Sequence, residues 1–164
     1  MASNILQNYE QVSGATSLLT MHRAKAVQVI GDTVATRTLT IKEAGCTALF
    51  DSAAGVVYTL PVPVAGAVFE FVSTVTITSN AAKVITDSAN TFIIGAVVGA
   101  SIATASPGGF AFDGSTHRAI SMNGTTTGGV VGTTIKLKAL STTVWQIEGV
   151  TIGSGTLATP AATS

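Results

Sequence analysis

Hydrophobic and polar positions alternate most clearly between residues 48 and 72, ALFDSAAGVVYTLPVPVAGAVFEFV. The segment reads as a turn, a strand, a corner and a second strand. Asp51 and Ser52 with Gly55 supply turn chemistry. Val56–Leu60 is β-branched and aromatic, which suits a pleated, half-buried surface. Pro61 and Pro63 cannot donate to a ladder, so they end this strand and protect an edge. Gly66 permits a bend. Beyond it, Phe69 and Phe71 share one face, opposite Val68, Glu70 and Val72.

The same period continues on both sides. Strands are expected at 25–30, 34–41, 46–50, 73–78, 83–86, 92–105, 110–112, 117–122, 130–140 and 143–150. In the strand at 130–140, Ile135, Leu137 and Val131 alternate against Lys136 and Lys138. Trp145 is the largest hydrophobe and a natural core anchor. Asn123-Gly124 is a hairpin-grade turn signal. Many short strands with almost no helical period predict an all-β fold: a compact β-sandwich or barrel, jelly-roll-like. No repeat with a period of about 20–50 residues is visible, which argues against a solenoid or propeller. Residues 1–24 lack a sustained period and are expected to form an extended N-terminal arm. Residues 25–152 would be the β domain, and residues 153–164 a small-residue C-terminal tail.

Composition narrows the function classes. Only 10% of the 164 residues are charged, against 46% hydrophobic, and the net charge is zero. A surface of Thr, Ser and Ala with no net charge favours association. An oligomer or a part of a larger assembly is therefore expected. Zero net charge argues against nucleic acid as partner. Met1–Asn4 has no basic region before an apolar run, so cytosolic synthesis is expected. The apolar run 91–106 holds Gly95 and Gly99 at membrane-dimer spacing, but it is shorter than the ~20 residues that span a bilayer and lacks basic flanks. A buried strand with glycine bulges is the better reading.

Candidate chemistry is sparse. His117 follows Asp113 by four residues without a third ligand nearby, so no metal site is expected. Cys46 is the single cysteine and reads as a buried structural thiol. Lys136 and Lys138 share a face that either meets an acidic partner or is solvated. Eight acidic residues scattered singly do not make a hydrolase pair. No catalytic group and no cofactor are expected.

The segment LFDSAAGVVYTLPVPVAGAVFEFV, with TSNAAKVIT and the late GTTIKLKALSTTVWQIEGV, resembles structural proteins of tailed bacteriophages. Asp51, Gly55, Thr59, Leu60, Pro61, Pro63, Gly66, Phe69, Trp145 and Gly149 carry the likeness, which spans about residues 36–152. With these positions and Phe71 read as core and turn residues, the resemblance implies a capsid decoration (cement) protein. Such a protein is usually a homotrimer on the outside of the virion head, bound to the major capsid protein. The expected capsid contact is the arm, through Ile5, Leu6, Tyr9, Leu18, Leu19 and Arg23. A tail-fibre or head-fibre module that binds a host surface glycan is the alternative.

Overall fold

The computed structural model describes residues 29–31, 35–79, 81–104 and 107–164. The expected arm residues Ile5, Leu6, Tyr9, Leu18, Leu19 and Arg23 lie outside them. Among the described residues, twelve strands run in the order β1 Val29–Gly31, β2 Thr36–Thr38, β3 Thr47–Phe50, β4 Val57–Thr59, β5 Val68–Ser73, β6 Ala82–Ile85, β7 Phe92–Ser101, β8 Gly108–Asp113, β9 Ala119–Met122, β10 Thr134–Ala139, β11 Val144–Gly153 and β12 Ala161–Ala162. They form a seven-stranded sheet, β1-β3-β5-β10-β11-β7-β8, and a five-stranded sheet, β12-β9-β6-β4-β2. The fold is the expected all-β class, and of the two architectures it is the sandwich.

The first six strands alternate between the two sheets. Odd strands enter the larger sheet and even strands the smaller one, and every pairing among them is parallel. The chain is thus wound as a two-sided coil. On one side its successive turns carry Val29 onto Thr47 and Thr47 onto Glu70; on the other they carry Thr36 onto Val57 and Val57 onto Lys83. This corrects the expectation that no solenoid-like repeat is present. It also departs from the antiparallel ladders of a jelly roll. Antiparallel strands close the coil on both faces at once: β10 lies beside β5, and β9 beside β6. Two hairpin-like pairs, β7–β8 and β10–β11, complete the larger sheet, with β11 and β7 joined in parallel.

Burial follows the alternation. Ile30, Ala48 and Phe71 form one inward row across the larger sheet; Tyr58, Val84 and Ile120 form one across the smaller. Phe50, Tyr58 and Phe71 pack with ring centroids 5.3–6.2 Å apart and so tie the two sheets together inside the coil. The Tyr58 hydroxyl satisfies its buried oxygen by donating to the Leu49 carbonyl at 2.6 Å. Trp145, fully buried as expected, meets Phe69 edge-on at 5.9 Å.

Several boundaries differ from the pattern. The strand at 68–73 stops at Ser73, because Thr74 and Val75 both donate to Phe50 rather than extend the ladder. Val131 is exposed and lies before β10, so only Ile135 and Leu137 of that set face inward. Pro61 and Pro63 do follow the end of β4, but β4 is flanked by β2 and β6, so they protect no edge. Asn123-Gly124 makes no hairpin: β9 and β10 belong to different sheets. The Asn123 Oδ1 instead accepts the N–H groups of Thr125, Thr126 and Thr127, which holds a wide loop. Gly124 has φ +74°, and its α-carbon faces the Ile77 carbonyl so closely that a Cβ would overlap it. The tail is not only loop, since Ala161 and Ala162 pair with β9. One 3-10 turn, Ile41–Glu43, interrupts the β pattern.

Candidate functional site

The outer face of the larger sheet is the surface with the most organised chemistry. Cross-strand register sorts it into rows. One row runs Val68, Lys138, Gln146, Ile94, Asp113. Another begins Thr47, Glu70, Lys136, Glu148 and continues on the hairpin side with Ala96 opposite Ala111. A third runs Leu49, Val72, Thr134, Val150, Val98, Gly109.

The charges on β5, β10 and β11 neutralise one another. Lys136 lies opposite both Glu70 and Glu148, with Nζ 3.3 Å from a Glu148 oxygen. Glu70 also accepts the Thr47 hydroxyl at 2.9 Å. A pair this exposed contributes only about 0–1 kcal/mol. Of the two lysines, Lys136 therefore already has acidic neighbours on its own sheet.

Toward β7 and β8 the face becomes mostly apolar, with Asp113 at the end of β8 its one charged residue. Ile94, Val98 and Val150 are 40%, 51% and 43% exposed, with Ala96 and Ala111 exposed between them. The pattern of the 91–106 run predicts a buried strand with glycine bulges. The structure corrects this: only one face of β7 is buried, and its registers to β11 and β8 continue through Gly95 and Gly99 without an extra residue. Gly95, at φ +122°, brings β7 so near β11 that a Cβ would overlap the Ile147 carbonyl oxygen. The glycines serve close sheet packing, not a bend. Sequence alternation could not reveal this face, because Ile94, Ala96 and Val98 are as apolar as the positions that point inward. The one available signal was their lack of charge.

Elsewhere the singled-out residues are structural. Asp113 accepts backbone N–H groups from Ser115, Thr116 and His117 and the Thr116 hydroxyl. The Thr116 hydroxyl and these N–H groups hold its carboxyl far below the usual range. The His117 Nδ1 accepts the Asp113 N–H at 3.1 Å and lies 3.2 Å from an Asp113 carboxylate oxygen. Burial, and next the Glu43 charge, push the Cys46 thiol up, away from a reactive thiolate. Burial raises Glu43, but the Thr40 N–H, the Arg37 guanidinium at 2.7 Å and the Thr40 hydroxyl outweigh it and lower its pKa. Gly55 sits at φ +86° where a Cβ would come within 2.6 Å of the Ala81 backbone, and its N–H closes the expected turn on Ser52. Asp51 and Pro61 lie before and after β4, and Gly66 precedes β5; Pro63, Phe69 and Phe71 are buried. The structure gathers none of them into a site.

Among the described residues no three His, Cys, Asp or Glu side chains converge as metal ligands. No helix among them is long and apolar enough to cross a membrane. No family model matches the chain, and neither a curated protein nor a solved structure matches it.

Proposed function

We propose that this protein is a non-enzymatic structural component of a bacteriophage virion that decorates and stabilises the capsid. It works by bridging. Copies associate, three-fold, through apolar β faces, and the segment preceding β1 reaches across neighbouring major capsid protein subunits, with Ile5, Leu6, Tyr9, Leu18, Leu19 and Arg23 as its contacts. Each contact need be only weak, because tethering several multiplies avidity. The observation that carries the reading is the exposed apolar patch of Ile94, Ala96, Val98, Ala111 and Val150, whose chemistry suits association. The phage-like motif from Asp51 to Phe69 supports it. A glycan-binding fibre would present aromatic rings to sugar faces. None of the described aromatic side chains is exposed.

Deletion of residues 1–24 tests the bridging role. The shortened protein is expected to lose most of its binding to expanded capsids in a sedimentation assay. Unchanged affinity overturns the role of the segment.

A further inference from the structure

The outer face of the larger sheet carries its charges unevenly. Lys136 lies between Glu70 and Glu148, but Lys138, two residues on, lies between Val68 and Gln146. Lys138 is exposed, and among the described residues it has no ion-pair partner. A shallow depression of about 170 Å³ opens among the Lys136, Lys138, Gln146 and Glu148 side chains. In the same row, beyond Gln146 and Ile94, stands Asp113. Its side chain is 40% exposed. The N–H groups of Ser115, Thr116 and His117 and the Thr116 hydroxyl hold the carboxylate in one orientation. A cation arriving from outside therefore meets an acceptor already fixed in place, and little ordering is left to be done on binding.

Lys138 on β10 is separated from Asp113 on β8 by β11 and β7. At about 4.7–4.9 Å per strand step the two lie roughly 14 Å apart, too far to pair within one chain. Ile94 lies between them in the same row, with the other exposed apolar residues, Ala96, Ala111, Val98 and Val150, in the rows beside it. A row with a free cation at one end, a fixed carboxylate at the other and an isoleucine between is complementary to a second copy of itself. Turning a copy about an axis parallel to the strands keeps every row at its own height. β10 of one copy then meets β8 of the next. Lys138 faces Asp113 there, while Lys136 and Thr134 face Ala111 and Gly109, which are small enough to leave room.

We propose that Lys138 of one copy pairs with Asp113 of a neighbouring copy, and that this contact sets the register in which the apolar faces associate. The inference rests on the reading that copies associate through this face. Three-fold repetition closes a ring in which each copy gives one lysine and one carboxylate, a head-to-tail contact. It also turns the Ile94 side chains of the copies toward the axis and out of water. The apolar residues favour association without choosing a register, whereas the charge pair disfavours every register that leaves it unmatched. Lys136 takes no part, because Glu148 already neutralises it at 3.3 Å.

Zero-length cross-linking of the full chain with a water-soluble carbodiimide tests the contact. The reagent joins a lysine amine to a carboxylate only where the two touch, so an amide between Lys138 and Asp113 arises only between copies. Covalent oligomers are expected on a denaturing gel, with a peptide joining Lys138 to Asp113 in the mass spectrum. Lys138→Glu changes an exposed side chain and is expected to keep the circular dichroism of the fold. In sedimentation equilibrium it is expected to raise the dissociation constant of the oligomer at least about ten-fold. Lys138→Arg keeps the cation and is expected to keep the oligomer. Oligomers that form equally well in Lys138→Glu and yield no such peptide overturn the proposal and leave association through the face standing. A dimer mass with the same peptide supports the contact and overturns the three-fold arrangement. A chain that stays monomeric at every concentration overturns both.

Discussion

The coil of residues 29–85 and the hairpin-like region of residues 92–153 share one core but solve different problems. In the coil the strands are three to six residues long and change sheet at every step. No strand is paired with its sequence neighbour, and the shortest loop that any ladder closes runs from Val29 to Thr47. In the later region β7 and β11 each run ten residues, and each has a sequence neighbour, β8 and β10, as an antiparallel partner. The coil contributes the aromatic cluster that binds the two sheets. The later region contributes the exposed apolar face. The difference separates cohesion from presentation: short strands and corners hold the sandwich, while long strands display a surface.

Glycine substitution is the strongest way to break that contrast. Gly95 and Gly66 both have positive φ, +122° and +90°. At Gly66 an added Cβ meets nothing within 4 Å, whereas at Gly95 it overlaps the backbone of β11. Gly95→Ala is expected to cost about 2–6 kcal/mol, from backbone strain plus overpacking. Gly66→Ala is expected to cost about 1–3 kcal/mol, from strain alone. Urea unfolding of both variants measures the gap, and equal losses would show that packing between β7 and β11 is looser than described.

A milder probe is Tyr58→Phe in the coil. It removes one hydroxyl and leaves the Leu49 carbonyl without its donor. A loss of about 1–3 kcal/mol is expected, with both sheets melting together in a thermal scan. Separate transitions for coil and hairpin-like region would break the shared-core description.

Acid gives the smallest effect and touches one carboxyl in each region. Glu43 in the coil and Asp113 in the hairpin-like region both have lowered pKa values when folded. In the unfolded chain each takes up a proton near pH 4. The folded chain takes it up only at lower pH, so the stability they confer is full above about pH 5 and fades as pH falls through 4 and below. The expected result is a melting temperature that declines on acidification. With Asp113→Asn and Glu43→Gln together, that decline should flatten.

Much of the fold was legible where alternation and burial agree. Phe69 and Phe71 against Glu70, Ile135 and Leu137 against Lys136 and Lys138, and Trp145 all point where the pattern places them. The coil was not legible. Its turns are unequal, the one from Val57 to Lys83 being clearly longer than the one from Val29 to Thr47. Aligned inward positions hold Ile30, Ala48 and Phe71, three unlike volumes. What repeats is backbone pairing, which leaves almost no trace in side chains. The hairpin signal at Asn123-Gly124 misled because the asparagine side chain binds three N–H groups of its own loop. The candidate face escaped notice because a row of small apolar residues reads the same whether it points inward or outward.

The alternation of strands between sheets also has a mechanical side. A pull on the N-terminal end of β1 loads one strand of one sheet, then one strand of the other, as a lace is drawn from paired eyelets. Each turn released lengthens the chain by roughly 60–90 Å, because an extended chain spans about 3.3–3.6 Å per residue. Tension on this end is dissipated turn by turn, and the antiparallel strands β9 and β10 form the stop at which the unlacing must begin to tear both sheets together.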